Sequence, residues 1–378
     1  MDYAATTPVD DRVLKVMLPY FNESYGNASE IHSLGLEAKE AMEESREKVA
    51  DILNSGSDRI FFTSGATESN NLALKGAAFA SKKKRHIIVS SIEHHCVLDS
   101  AMWLKSRGFD LSLLPVDKQG IVDPADVKRM IRDDTLLVSV MHSNNEIGVL
   151  EPISEIGEIC QEKGVYLHSD AVQSVGKVPV DVEKLGVDLL SASSHKLYGP
   201  KGVGALYVRE DVNIEPLSHG GGHEHGMRSG TENVAGVVGF GEACRIAKVE
   251  MLVEEPKLIN LRDRLISRIL EIKDTRLNGH PTKRLPNNTN FSFKYIEGES
   301  LLLKLDDKGV AASSGSACSS TSSDPSHVLL AIGLKPEDAR GSLRLTLGRW
   351  TSREEVNYVL EILPEVVEEL RLLSPLAK

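Results

Sequence analysis

The chain has 378 residues, a formal net charge of −11, 41% hydrophobic and 5% aromatic content. That length supports a large core and about two domains, and the acidic balance argues against nucleic acid or another polyanion as partner. No apolar run approaches the roughly 20 residues that cross a bilayer, and MDYAATTPVD lacks the basic and apolar regions of a secretory signal, so the cytoplasm is the expected compartment.

From about residue 58 to 210, apolar strand-like runs alternate with helical patterns. RIFFTS leads through Ser64-Gly65-Ala66-Thr67 into the helical segment ESNNLALKGAAFA. The runs HIIVSSI and LSLLPVD follow, and then a helix opens at Asp123-Pro124, an N-cap aspartate followed by a first-turn proline. LLVSVMH, the helical ISEIGEICQEKG, VYLHS, VDLLSAS and VGALYVR complete the series. Several strands are apolar throughout, as expected where helices cover both faces of a sheet. The fold class is therefore α/β with a mainly parallel sheet. After residue 234 a long charged helical stretch begins, followed by the strands NTNFSFKY and SLRLTLG and a terminal helix near TSREEVNYVLEIL, where Thr351 and Glu354 read as a capping box. This shift marks a smaller α+β domain, with a boundary near 250 to 260.

Three local patterns carry chemistry. A strand running through Ser64-Gly65-Ala66-Thr67 into a helix suits an anion at the helix N-terminus, or simply a capped helix after a tight turn. Neither this segment nor GPKGVG has the spacing of a nucleotide P-loop. Asp170 and Gln173 follow VYLHS, at the strand end where open α/β sheets place ligands. The aspartate equally suits an N-cap. Lys196 closes VDLLSAS 26 residues after Asp170, about one helix-and-strand unit. A desolvated lysine there is a candidate for Schiff-base chemistry, and a carboxylate facing a pyridinium nitrogen beside such a lysine is the signature of a pyridoxal phosphate site.

Cys96, Cys160, Cys244 and Cys318 are far apart and form no paired spacing, which excludes a disulfide framework or zinc ribbon. Cys160 and Cys244 fall in helical patterns and read as packing residues. Cys318 sits among eight serines between Ser313 and Ser326, with no apolar run to bury it. That composition reads as a hydrated, mobile loop with an exposed thiol. His219, His223 and His225 lie in a glycine-rich stretch without a carboxylate set at fixed spacing, so no metal is expected.

Taken together, DYAATTP, TSGATESNN, HSNNEIGV, SDAVQSVGK, SSHKLYGPKG, HGGGHEHGMRSGTEN, SSGSACSS and LRLTLGRW resemble, nearly end to end, the cysteine desulfurases that supply sulfur for iron-sulfur cluster assembly, among the fold-type I pyridoxal phosphate enzymes. The resemblance implies a large cofactor-binding domain over residues 12–255, and a small domain from 1–11 and 256–378 that carries the cysteine loop. It implies that Lys196 holds pyridoxal 5'-phosphate as a Schiff base, Asp170 pairs with the ring nitrogen, Gln173 meets the phenolic oxygen and His94 stacks on the ring. Ala66, Thr67, Ser193 and His195 would hold the phosphate, with Thr231 reaching across from the second subunit of a homodimer. Asn145 and Arg344 would bind the carboxylate of L-cysteine. Cys318 would take the sulfur and pass it to a cluster scaffold protein. An aminotransferase or β-lyase of the same fold would share the lysine, aspartate and phosphate residues without needing Cys318. The resemblance gives Cys96, two residues after His94, no role.

Overall fold

Seven short strands pair into one sheet: β1 (Ile60–Thr63), β2 (His86–Ser90), β3 (Asp110–Leu114), β4 (Thr135–Ser139), β5 (Tyr166–Asp170), β6 (Leu189–Ser193) and β7 (Gly204–Val208). Their order is β1-β7-β6-β5-β4-β2-β3. The pairs from β6 through β5, β4 and β2 to β3 are parallel, and β7 runs antiparallel to both its neighbours. This computed structural model describes residues 1–314 and 325–375. The mainly parallel α/β sheet expected from the sequence is thus present. Strands β2, β4, β6 and β7 are buried at every residue, which is why they read as apolar runs rather than alternating ones.

A second sheet of β8 (Thr275–Leu277), β9 (Asn288–Phe293) and β10 (Ser342–Thr346) is antiparallel, in the order β10-β9-β8. The helix Arg353–Leu373 turns Val356, Val359, Leu363 and Val367 onto the core of this sheet. Its N-cap is Ser352, whose hydroxyl accepts from Glu355 N while Glu355 reaches back to the Ser352 backbone. The capping box is therefore one residue later than the Thr351 and Glu354 pair. Thr351 Oγ1 is already engaged, accepting the Gly348 N–H at 2.9 Å.

One helix, Val234–Ile269, serves both cores: Val237, Phe240 and Cys244 pack under the large sheet, while Leu258, Leu265 and Ile269 pack under the small one. The first residues of the chain form the other link. Asp2 bridges to Thr346, Ala4 N donates to Thr346 Oγ1, and Thr7 N donates to the carbonyl of His195. This lacing brings β10 against the carboxyl ends of the parallel strands, the edge where α/β sheets hold ligands.

Candidate active site

A cavity of about 620 Å³ lies at that junction. Each strand end contributes by geometry that the local sequence dictates. At the exit of β1, Gly65 adopts φ +149, and the helix Ala66–Asn71 starts without any side-chain cap. Its first N–H groups are thus left for an anion in the cavity. A Cβ on Gly204 would come within 2.8 Å of Gly65 Cα, so glycine is what lets β7 pack beneath this turn. Ser193 and His195, from the exit of β6, line the same end. His195 Nδ1 is 3.1 Å from Thr6 Oγ1, and its basicity is pushed down to about 4, by burial first and then by Lys196, Lys201 and Lys177.

Asp170 ends β5 and is buried at the cavity wall. Oδ1 accepts the Val172 N–H at 3.0 Å, and Oδ2 accepts Asn70 Nδ2 at 2.7 Å. The carboxylate organises the turn that follows β5 and faces the cavity, but it caps no helix: residues 171–180 form turns, and the next helix, Val182–Leu185, is capped by Asp181. Lys196 Nζ donates to the carbonyls of Ala4 at 2.5 Å and Ala5 at 2.7 Å, and Gln173 Nε2 donates to the same Ala4 oxygen at 3.0 Å. Behind Gln173, Lys177 Nζ donates to the Gln173 carbonyl at 3.0 Å. Burial, with the charge of Lys196 adding to it, pushes the Lys177 ammonium down to about 7.

His94 caps the helix His95–Ser106, its Nδ1 accepting the Cys96 N–H at 3.2 Å. Burial lowers its basicity, against the pull of Asp170 and with the push of Lys196. Across the cavity, Arg344 on β10 is 5% exposed. Nη1 donates to the Asn145 carbonyl at 3.0 Å, Nη2 meets Asp2 Oδ1 at 2.9 Å, and Nε is buried with no partner among the described residues. Arg344 also pairs through its backbone with Ser313, in an isolated antiparallel bridge.

The structure therefore brings Lys196, Asp170, Gln173, His94, Ala66, Thr67, Ser193, His195, Asn145 and Arg344 to one cavity. Thr231 is not among them: it is exposed and borders a separate recess with Ser64, Gly202 and Arg228. Cys318 lies outside the described residues. Among the described residues no group of three or more His, Cys, Asp or Glu side chains could hold a metal. His223 instead uses Nδ1 to accept the Gly230 N–H at 3.1 Å. Sequence reasoning missed Asp2, Asn70 and the Ala4 and Ala5 carbonyls. All four residues sit in quoted motifs, DYAATTP and TSGATESNN, yet their partners are more than 90 residues away in the chain.

Comparison with known proteins gives the arrangement its relatives. The Aminotransferase class-V family matches residues 1–359. The chain is similar to "Cysteine desulfurase IscS" of Methanosarcina thermophila, 54% identical over 377 residues, covering 100% of this chain and 93% of the relative. It is similar also to "Cysteine desulfurase IscS 1" of Archaeoglobus fulgidus, 54% identical over 376 residues, covering 99% and 98%. Among solved structures, a "NifS-like protein" superposes with a TM-score of 0.92 at 40% identity, covering 98% of this chain and 99% of that one. A structure titled "SspA in complex with cysteine" gives 0.82 at 37% identity, covering 93% and 99%. This chain belongs to the Aminotransferase class-V family.

Proposed function

We propose that the protein is a pyridoxal phosphate-dependent cysteine desulfurase, which converts L-cysteine to L-alanine and takes up the sulfur as a persulfide for iron-sulfur cluster assembly. The observation that carries this reading is the convergence of Lys196, Asp170 and Arg344 on one cavity, in a chain 54% identical to proteins named for that activity.

The residues present fit the cofactor. An uncapped helix start beside Ser193 and His195 offers donors for a phosphate. The Asp170 carboxylate, held from both sides by Asn70 and Val172, suits a protonated ring nitrogen. Lys196 would hold the aldehyde carbon, Gln173 the phenolic oxygen, and His94 the ring face. When bound, pyridoxal phosphate supplies an electron sink for charge developing at the substrate Cα.

The chain's own residues do the rest. Arg344 would take the substrate carboxylate, using the donor left unpaired at Nε, with Asn145 beside it. Lys196 Nζ would accept and return the Cα proton. Its perches on Ala4 and Ala5 keep the amine in the cavity. Cys318 would attack the substrate sulfur: the Cβ–S bond breaks, an S–S bond forms on Cys318, and Cβ gains a proton to give alanine. Sulfur would then pass to a cluster scaffold protein. We place this work in the cytoplasm, in a homodimer where the partner subunit's Thr231 completes the phosphate site. In support, the described cysteines are free and no described helix is long and apolar enough to cross a membrane. The purified protein given L-cysteine and a reductant should yield sulfide and alanine in equal amounts. Transfer of the amino group without sulfide, or pyruvate in place of alanine, would mark an aminotransferase or a β-lyase instead.

A further inference from the structure

Cys96 lines the cavity, whereas Cys160 and Cys244 are buried in the core of the large sheet. Its thiol touches two residues of the site. Asn70 Nδ2 lies 3.1 Å from Cys96 Sγ, and His94 Nδ1 lies 3.0 Å from it.

The hydrogens in this cluster can be assigned. Asn70 is fully buried and faces the Asp170 carboxylate at 2.7 Å, so its amide nitrogen, not its oxygen, must point there. The second hydrogen of that NH₂ group goes to the sulfur, which is then an acceptor. His94 Nδ1 already accepts the backbone N–H of Cys96, so it carries a lone pair. The thiol keeps its proton, because burial and then the charge of Asp170 push it up to about 12. The S–H hydrogen is then the donor in the 3.0 Å contact with His94 Nδ1.

We propose that the Cys96 thiol is a positioning residue: by taking a hydrogen bond from Asn70 and giving one to His94 Nδ1, it holds the imidazole as the Nε2–H tautomer and ties its orientation to the Asp170 carboxylate. The chain Asp170, Asn70, Cys96, His94 makes the carboxylate and the imidazole one unit. His94 accordingly presents a donor and a ring face to whatever fills the cavity, and it does not act as a base there. The same bonding excludes Cys96 as a second sulfur acceptor, since only a thiolate attacks sulfur. The meaning of this for catalysis rests on the desulfurase reading, but the hydrogen-bond chain does not.

Other groups also bear on the charge of His94. Asp170 from β5 and Asp99 on its own helix favour the imidazolium, while Lys196 from the exit of β6 and the neighbouring His95 oppose it. His327, from the helix His327–Ala331, lies 4.9 Å from His95 with the two rings tilted by 60°, and its Nε2 is 2.9 Å from the Glu93 carbonyl. None of these changes when only residue 96 is replaced, so a series at that position isolates the thiol.

The test is long-range ¹⁵N–¹H correlation on holoenzyme labelled at histidine nitrogens, in wild type, Cys96→Ala and Cys96→Ser. Wild type should show His94 with the proton on Nε2. In the alanine variant Nδ1 loses one of two donors, so the His94 titration midpoint should rise by roughly half a pH unit or more. The acidic limb of kcat against pH should rise with it. Serine can donate to His94 and accept from Asn70, and should restore both values toward wild type. A proton on Nδ1 in wild type, or an alanine variant with wild-type tautomer, midpoint and pH profile, overturns the inference. If these signatures appear in a protein that makes no alanine from L-cysteine, the inference stands and the desulfurase reading fails.

Discussion

Asp2 Oδ1 lies 2.9 Å from Arg344 Nη2 inside the cavity, so the guanidinium proposed to receive the substrate carboxylate already carries a carboxylate of its own chain. Arg344 is 7% exposed at its side chain and Asp2 25%. The pair sits away from full solvent screening, and a second carboxylate entering there meets a like charge.

Asp2→Asn keeps the shape and an acceptor while removing that charge. The KM for L-cysteine should fall about three- to tenfold with kcat little changed, the size expected for a partly exposed ion pair. Steady-state kinetics on the holoenzyme checks this. A raised KM would mean that Asp2 chiefly holds Arg344 in place.

Lys196→Ala should lower turnover by roughly a thousandfold or more and leave the protein without its lysine-bound cofactor colour. Lys177 cannot substitute, because its amine is held behind Gln173 by the Gln173 carbonyl. Lys201 lines the cavity but is exposed. Retention of both colour and activity in the variant would remove Lys196 from its role.

Much of this site was legible because it is local. A strand, a turn and a polar residue at the exit are written within ten positions, which is why β1 to β7, the Asp123 cap, Asp170 and Lys196 could be read directly. What could not be read depends on chain crossings. Asp2 meets Arg344 across 342 positions and Asn70 meets Asp170 across 100, and no periodicity encodes either. The terminal cap was ambiguous for another reason: Thr351 and Ser352 each have a glutamate three residues on, and only the prior engagement of Thr351 with Gly348 decides between them. Strand β8 has three residues, too few for alternation to show.

Glu151 provides a pH signature for stability. One oxygen accepts the Val122 N–H at 2.8 Å while the other is buried without a described partner, and burial pushes the carboxyl up to about 8. A folded value above the ordinary 4.5 means that its stabilisation is complete below about pH 4.5 and is lost as pH rises through about 8. Glu151→Gln keeps an acceptor and removes this loss. The variant should therefore gain Tm relative to wild type between pH 6 and pH 8, by about 2 °C or more at the upper end. Scanning calorimetry of the two proteins over that range decides it, and parallel curves would show that Glu151 does not titrate there.

The central claim is that sulfur from L-cysteine comes to rest on Cys318. Holoenzyme incubated with L-cysteine and then digested should show by mass spectrometry one added sulfur atom on the Cys318 peptide, and none on the peptides holding Cys96, Cys160 or Cys244. Cys318→Ser should bind cofactor and substrate but lose alanine production. An unmodified Cys318 peptide, or alanine formed by Cys318→Ser at the wild-type rate, would contradict the account.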